Sequence, residues 1–469
     1  MATLVMKFGG TSVGSPEAIL QAAEIVELTS QKWDRLVVVV SAMRGVTDIL
    51  IQSAESAAAG DEDSYRSLIE ELLARHQVVI NELVSDAGER AKLSDLIDEY
   101  MAELNAYCHS IHVLGEVTPR GMDTITSLGE RMNARVVETT LRGNGLNVLA
   151  IDATELIVTD DSFQNAMPLR AATRDKVRTR LDPLLGEEIV PIVTGFISAT
   201  QAGITTTLGR GGSDYTAAIL GDSLDASEVW TWTDVDGVMT ADPRVVPDAR
   251  VIHELSFSEV SELAYFGAKV LHPKTLRPII ERDIPLWVKN TFNPSFPGTR
   301  IIRSSHTVKG KVTAISTIRD LTMITVEGRG MMGVPGIAAR TFAAVARQGA
   351  SVLMISQASS EQSICFVIPT QAARVVIQSV ETEMELELTR RDIDRVWAQD
   401  DIVIVTAVGA GLRHTPGISG RIFSALGQAG INVIAIAQGS SEYSISMVVA
   451  AQDSNHAVRQ IHQEVILNG

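Results

Sequence analysis

Positive charge is the first thing this chain is short of. Its 40 Lys and Arg face 57 Asp and Glu, a net charge of −17. A nucleic-acid partner wants a basic face, so none is expected. A small phosphate ligand stays possible, since a few local cations and backbone N–H groups suffice for it. Cysteine is nearly absent. Cys108 and Cys365 have neither metal-ligand nor redox spacing and are expected as free, buried thiols in a reducing cytoplasm. No uninterrupted apolar run of about 18 residues occurs, so no membrane span is expected. The N-terminus, MATLVMKFGG, lacks the basic start and apolar stretch of a secretory signal. There is also no GxxxxGK[ST] phosphate loop. What is present is globular: 45% hydrophobic and 21% charged residues over 469 positions, enough for two or three domains.

Strand and helix patterns alternate through the first 300 residues. Leu4–Phe8 and the β-branched run Leu36–Val40 read as strands, the second buried on both faces. Ser15-Pro16-Glu17 reads as an N-cap, a first-turn proline and a first-turn acid. Residues 60–115 are helical in pattern. Ile189–Phe196, Val229–Trp232 and Ile284–Lys289 read as further strands, with a hairpin through Ala202-Gly203. The alternation predicts an α/β domain with a mostly parallel sheet sandwiched by helices, over residues 1–303. Residues 304–469 hold a repeat. Positions 321–368 align with 402–449 at an offset of 81 without a gap, with 19 identities in 48 positions. Each copy reads strand, Gly-rich turn, helix, strand, turn, strand. Two α+β modules are expected, at about 312–390 and 391–469.

Several loops carry residues suited to anions and amino acids. Lys7-Phe8-Gly9-Gly10 closes a strand on two glycines before a helix, either an anion-binding turn or a tight turn with a solvated lysine. As a point charge toward phosphate, Lys7 is expected to matter for turnover and little for folding. Leu208-Gly209-Arg210-Gly211-Gly212-Ser213-Asp214 is a second Gly-rich loop. There Arg210 offers a two-pronged grip on a carboxylate, and Asp214 an acceptor for lysines or an ammonium. Thr233-Asp234 follows a strand, at the edge where α/β ligands collect, and Asp242-Pro243-Arg244 comes soon after. Lys269 lies in an apolar stretch, with His272 beyond it, and Glu130 is a lone carboxylate on a helix among small neighbours. Each also has a plain reading as turn, cap or solvated surface. Gly328-Arg329-Gly330-Met331-Met332-Gly333 fits a dinucleotide fingerprint in form. The second copy keeps only two of its glycines, and each unit is too short for a nucleotide fold, so that reading is rejected.

The set of motifs resembles the amino-acid kinase family, and within it the aspartate kinases, over nearly the whole chain. KFGGTSVG at 7–14, TTLGRGGSDYTAA at 206–218, WTDVDGVMTADPR at 232–244 and ELAYFGAKVLHP at 262–273 occur in the expected order. The resemblance implies transfer of phosphate from ATP, with Mg²⁺, to the side-chain carboxylate of L-aspartate. It further implies that Lys7, Gly9 and Gly10 meet phosphate, that Ser41 and Thr47 face aspartate, and that Glu130 meets its ammonium. Arg210 would take a carboxylate with Ser213 beside it, and Asp214 would organise the lysines. Thr233, Asp234, Arg244 and Lys269 would hold the nucleotide. Met239 stands where many relatives carry Tyr. The repeat resembles paired ACT (ferredoxin-like) modules of the threonine-sensitive type. Gln357 and Gln438 would contact the effector, threonine by preference and lysine as the alternative, and a homodimer or higher oligomer is expected through the modules. No segment after Gly469 corresponds to the homoserine dehydrogenase fused to some relatives, so none is expected. Two other readings stay open, a catalytically silent amino-acid sensor and a kinase for another small acid.

Overall fold

The computed structural model describes residues 2–267, 271, 273–303, 310–332, 334–357, 362–438 and 443–468. The chain divides into two compact units. One is Met1–Val238, Val251–Phe257 and Val270–Ser305; the other is Met239–Arg250, Ser258–Lys269 and His306–Gly469. The segments 239–250 and 258–269 thus lie before the 303/304 boundary in the sequence yet pack within the second unit.

In the first unit the strands are β1 (Thr3–Phe8), β2 (Arg35–Val40), β3 (Val148–Ile151), β4 (Val158–Thr159), β5 (Val190–Thr194), β6 (Ile197–Thr200), β7 (Thr205–Thr207), β8 (Glu228–Thr233), β9 (Glu254–Ser256), β10 (Leu286–Asn290) and β11 (Thr299–Ile302). Its helices are α1 (Pro16–Ser30), α2 (Val46–Ala58), α3 (Glu62–Leu83), α4 (Ala87–Leu114), α5 (Pro119–Gly143), α6 (Arg170–Gly186) and α7 (Gly212–Ser223). The main sheet runs β3-β5-β2-β1-β8-β10-β11-β9. It is parallel except where β10 meets β11. β1 lies at its centre between β2 and β8, and Leu4, Met6, Val38 and Val40 are fully buried, as a continuous apolar strand requires. The Ser15 hydroxyl caps α1 by accepting from the Ala18 amide at 3.3 Å, with Pro16 in the first turn. β6 and β7 form the hairpin through Gly203 (φ +78°), and with β4 they make a separate three-stranded sheet.

α8 (Phe257–Tyr265) carries the chain into the second unit, and α9 (Pro273–Arg282) belongs to the first. The second unit then contains β12 (Ala314–Glu327), α10 (Ile337–Arg347), β13 (Met354–Gln357), β14 (Ser363–Pro369), α11 (Thr370–Glu383), α12 (Glu385–Arg390), β15 (Arg395–Val408), α13 (Ile418–Gln428), β16 (Ala435–Ala437), β17 (Ser444–Ala450) and α14 (Ser454–His462). At the offset of 81, β12, α10, β13 and β14 of one copy correspond to β15, α13, β16 and β17 of the other, while α12 has no counterpart. Even the glycines opening α10 and α13 match, Gly336 at φ +96° and Gly417 at φ +87°.

The modules interlock. The first half of β12 (314–318) pairs with the second half of β15 (404–408), while its second half pairs with 395–402. Both strands turn at an aspartate with positive φ, Asp320 (+59°) and Asp401 (+53°), again 81 apart. Each copy packs one strand face under its own helices. The opposite faces, through Leu321, Met323 and Val367 of one copy and Ile402, Ile404 and Val448 of the other, form a shared core with Phe266. Cys108 is buried and Cys365 half-buried, both unpaired. The expectation of burial therefore holds in full only for Cys108. No helix among the described residues is long and apolar enough to cross a membrane.

Candidate functional site

A cavity of about 770 Å³ opens in the first unit at the C-terminal edge of β1 and β2. Lys7, Gly10, Ser41, Thr47, Glu130, Arg210, Ser213 and Asp214 all line it, so four separated stretches of chain converge there.

The β1 turn is built by close backbone approach. Gly9 donates its N–H to the Trp232 carbonyl (3.1 Å), and the Arg44 amide donates to the Gly10 carbonyl (3.1 Å). A Cβ on Gly10 would lie 3.1 Å from the Ala42 carbonyl, and one on Gly14 2.7 Å from the Gly10 carbonyl. Gly9's amide is thus engaged within the fold, while Gly10's has no partner among the described residues. Lys7 is 7% exposed, and its Nζ lies 2.7 Å from Asp214 Oδ1. The ion pair leads us to expect that Lys7 bears on folding as well as on turnover. Removing it strands a mostly buried carboxylate, a change that typically costs about 3–5 kcal/mol. Asp214 sits in the first turn of α7, whose N-terminus favours negative charge.

The 209–214 loop needs its glycines. Gly209 and Gly211 have φ of +77° and +71°, and a Cβ on Gly212 would lie 2.6 Å from Phe196. Across the cavity, α5 presents a buried polar stripe at helical spacing: Asp123, Thr126, Glu130 and Asn133. Glu130 is 3% exposed. Its Oε1 accepts from the Ala42 amide at 3.3 Å, and its Oε2 has no partner. Burial pushes its pKa up to about 8. Asn133 donates to the Ser41 carbonyl at 2.6 Å, fixing the turn that carries Ser41 and Thr47. A buried carboxyl with one unpartnered oxygen, a cationic loop and a lysine near a helix N-terminus suit a zwitterion beside a phosphate.

The remaining candidates fall elsewhere. Thr233 ends β8 and Asp234 follows it, next to the Gly9 turn in the sheet, but neither lines the cavity. Arg244 is highly exposed, pairs with Asp242 at 2.7 Å and belongs to the second unit, as does Met239. Lys269 and His272 lie outside the described residues. Gln357 ends β13 and Gln438 follows β16, both exposed. Asp123, Gln164 and Phe196 line the cavity without having been singled out in the sequence. The polar stripe on α5 was the available signal for Asp123. Nothing local marked Gln164 or Phe196, both non-glycine residues at positive φ (+67° and +65°).

Comparison with known proteins agrees with this geometry. The amino acid kinase family profile matches residues 2–290, and the ACT domain profile matches 324–384 and 405–465. A bifunctional aspartokinase/homoserine dehydrogenase of Daucus carota is 37% identical over 99% of this chain and 51% of its own length. The chain thus spans about half of that relative. Aspartokinase 1 of Arabidopsis thaliana is 34% identical over 100% of this chain and 81% of its own. E. coli aspartokinase III in complex with aspartate and ADP (R-state) superposes with a TM-score of 0.83 at 30% identity over 99% of both chains. The same enzyme with lysine and aspartate (T-state) gives 0.80. From its motifs, its sheet and these likenesses, the chain belongs to the amino acid kinase family, among the aspartokinases with paired ACT domains.

Proposed function

We propose that this protein phosphorylates the β-carboxylate of L-aspartate with ATP, giving 4-phospho-L-aspartate and ADP. The observation that carries the reading is the convergence in one cavity of Lys7, Asp214, Arg210, Ser213, Glu130, Ser41 and Thr47. Glu130 receives the ammonium of aspartate at its unpartnered oxygen. Arg210 and Ser213 take a carboxylate, and Ser41 and Thr47 complete that wall. A carboxylate oxygen attacks the γ-phosphorus, the bond from phosphorus to the β,γ-bridging oxygen breaks, and ADP leaves. The acceptor is already ionised at neutral pH, so no general base is needed. Lys7 and the Gly10 amide neutralise and orient the transferring group, which is most of what phosphoryl transfer asks of a protein. Thr233, Asp234, Arg244 and Lys269 are proposed for the nucleotide.

No group of three or more His, Cys, Asp or Glu among the described residues could hold a metal by itself. We propose that Mg²⁺ arrives on the phosphates, which supply much of its oxygen shell. When bound, Mg²⁺ screens phosphate charge. A coupled assay for ADP over candidate acids tests the reading: turnover with aspartate well above glutamate, N-acetylglutamate and carbamate is expected. Equal turnover of another acid, or none with aspartate, would overturn it.

We further propose feedback by an amino acid at the repeat. Gln357 ends β13 and Gln438 directly follows β16, the two edge strands of the sheet, and a side-chain amide offers both donor and acceptor to an ammonium, a carboxylate or a hydroxyl. Threonine is the favoured effector and lysine the alternative. A second copy of the chain meeting these edges would make the homodimer, in the cytoplasm.

A further inference from the structure

We infer that Asp123 is the positioning residue that sets the distance between the two ends of the amino-acid subsite, an inference that rests on the aspartate reading above. Its carboxylate is 1% exposed and fully used. Oδ1 accepts from the Thr207 hydroxyl (2.7 Å) and the Gln164 amide (3.1 Å), and Oδ2 from the Gln164 amide (2.9 Å) and the Thr207 amide (3.1 Å). Burial raises its pKa while these donors pull it down.

Both anchored segments lead to Arg210. Thr207 ends β7, three residues before the guanidinium. Gln164 and Asn165 form the floor under Gly209. A Cβ there would meet Asn165 Oδ1 at 3.0 Å and the Gln164 carbonyl at 3.1 Å. The Ala166 amide donates to the Thr207 carbonyl at 2.9 Å, closing the two segments on each other. Gln164 keeps φ at +67°, a strained conformation for a non-glycine residue that surrounding bonds must hold. Arg210 itself is exposed and forms no ion pair among the described residues, so the backbone beneath it decides where its charge sits.

On the same helix, seven residues further along and two turns away, Glu130 faces the cavity. Two turns are about 11 Å of helix axis. α5 is therefore a ruler, carrying the ammonium acceptor directly and the carboxylate-binding loop through Asp123. Neither the motifs of the catalytic loops nor a direct substrate contact calls for this residue; its role comes from what it ties together.

The test is Asp123→Asn, which keeps size and puts an NH₂ donor where two acceptors served. Expected are an aspartate KM raised at least tenfold, an ATP KM within twofold of wild type, and a weakened preference for aspartate over glutamate in kcat/KM. Amide hydrogen exchange should speed up at least tenfold in 160–167 and 205–210 and stay unchanged in β1 and β2. Thr207→Val removes one of the four bonds and serves if the first variant folds poorly. A threefold rise in aspartate KM is expected from it, with no further effect when the two changes are combined. An unchanged aspartate KM, or loss of protection spread evenly over the first unit, would overturn the assignment. A wild type that leaves aspartate unphosphorylated would refute the proposed reaction instead, and the role of Asp123 is then decided by the exchange pattern alone.

Discussion

Replacing Glu130 by Gln should stabilise the protein while disabling it. Glu130 is buried with one oxygen on the Ala42 amide and the other unpartnered. Burial raises its pKa from 4.5 to about 8, the Ala42 amide pulling the other way. A carboxyl whose folded pKa lies above its unfolded value contributes stability that is fully present below the unfolded pKa. That contribution is lost as pH rises from about 4.5 through about 8. The loss runs at about 1.4 kcal/mol per pH unit inside this window and flattens near its upper end. Between pH 6 and pH 8 it amounts to about 2 kcal/mol, or about 4 °C in Tm for a unit of this size. Glutamine has no proton to lose. The Tm of Glu130→Gln should therefore pull ahead of wild type by about 4 °C on going from pH 6 to pH 8, with little gap below pH 4.5. Aspartate binding should collapse in the same variant, because its ammonium meets an amide. In wild type the ammonium draws the carboxylate into its charged form, so binding at pH 7 should release close to one proton. Calorimetry in two buffers of different ionisation enthalpy measures that release. A Tm gap that does not change with pH, or a wild type that binds aspartate without releasing a proton, would refute the reasoning.

Lys7→Met should lower kcat about 100-fold, the usual worth of such a charge clamp, and lower Tm as well, because Asp214 loses its partner; Lys7→Met/Asp214→Asn should recover Tm but not kcat. Either recovered turnover or an unaltered Tm in the single variant would count against the pairing. Arg210→Lys should raise aspartate KM at least tenfold, since an ammonium does not reproduce the planar fork; a wild-type KM would remove Arg210 from the site. Gly195→Ala puts a Cβ 2.5 Å from the Ser213 side chain, so it should displace Ser213 and depress kcat/KM for aspartate while the main sheet stays folded by circular dichroism. Gln357→Ala and Gln438→Ala, singly and together, should relieve threonine inhibition with uninhibited kcat near wild type. An effector of this kind shifts the equilibrium by typically 1–3 kcal/mol. Unchanged inhibition in the double variant, or a response to lysine alone, would sink the threonine assignment.

What the sequence made legible was local. A β-branched run marks a central strand, a Ser-Pro-Glu start marks a helix, and paired glycines mark a turn, because each of these is decided within a few residues. The cavity residues quoted from motifs, Lys7, Arg210, Ser213 and Asp214, share one cavity. The polar stripe on α5 could have marked Asp123 as facing the site, but not the two distant segments it joins, Gln164 and Thr207. The segments 239–250 and 258–269 were assigned by their order in the chain. The contacts that place them in the second unit are long-range. Thr240 meets His462 at 2.9 Å, Ala241 and Val246 join the core under α13 and α14, and the Ser316 hydroxyl donates to the Phe266 carbonyl at 2.6 Å.

The repeat carries one more signal that its 81-residue offset alone does not convey. An antiparallel sheet with one face in water alternates apolar and polar residues. The equivalent strands here do not: Leu321-Thr322-Met323-Ile324-Thr325-Val326 and Ile402-Val403-Ile404-Val405-Thr406-Ala407 are apolar or small on both faces. Alternate positions divide between two destinations. Ile324 and Val326, and Val403, Val405 and Ala407, go under helices. Leu321 and Met323, and Ile402 and Ile404, go to the shared core. A single copy would leave its second face to water, an apolar strip costing about 25 cal/mol per Å², so each module relies on its twin for part of its core. The exchange of strand halves at Asp320 and Asp401 adds covalent continuity to the same dependence. The strand pair β12 and β15 is therefore common to both modules, with β13 and β16 at the two outer edges of the one sheet.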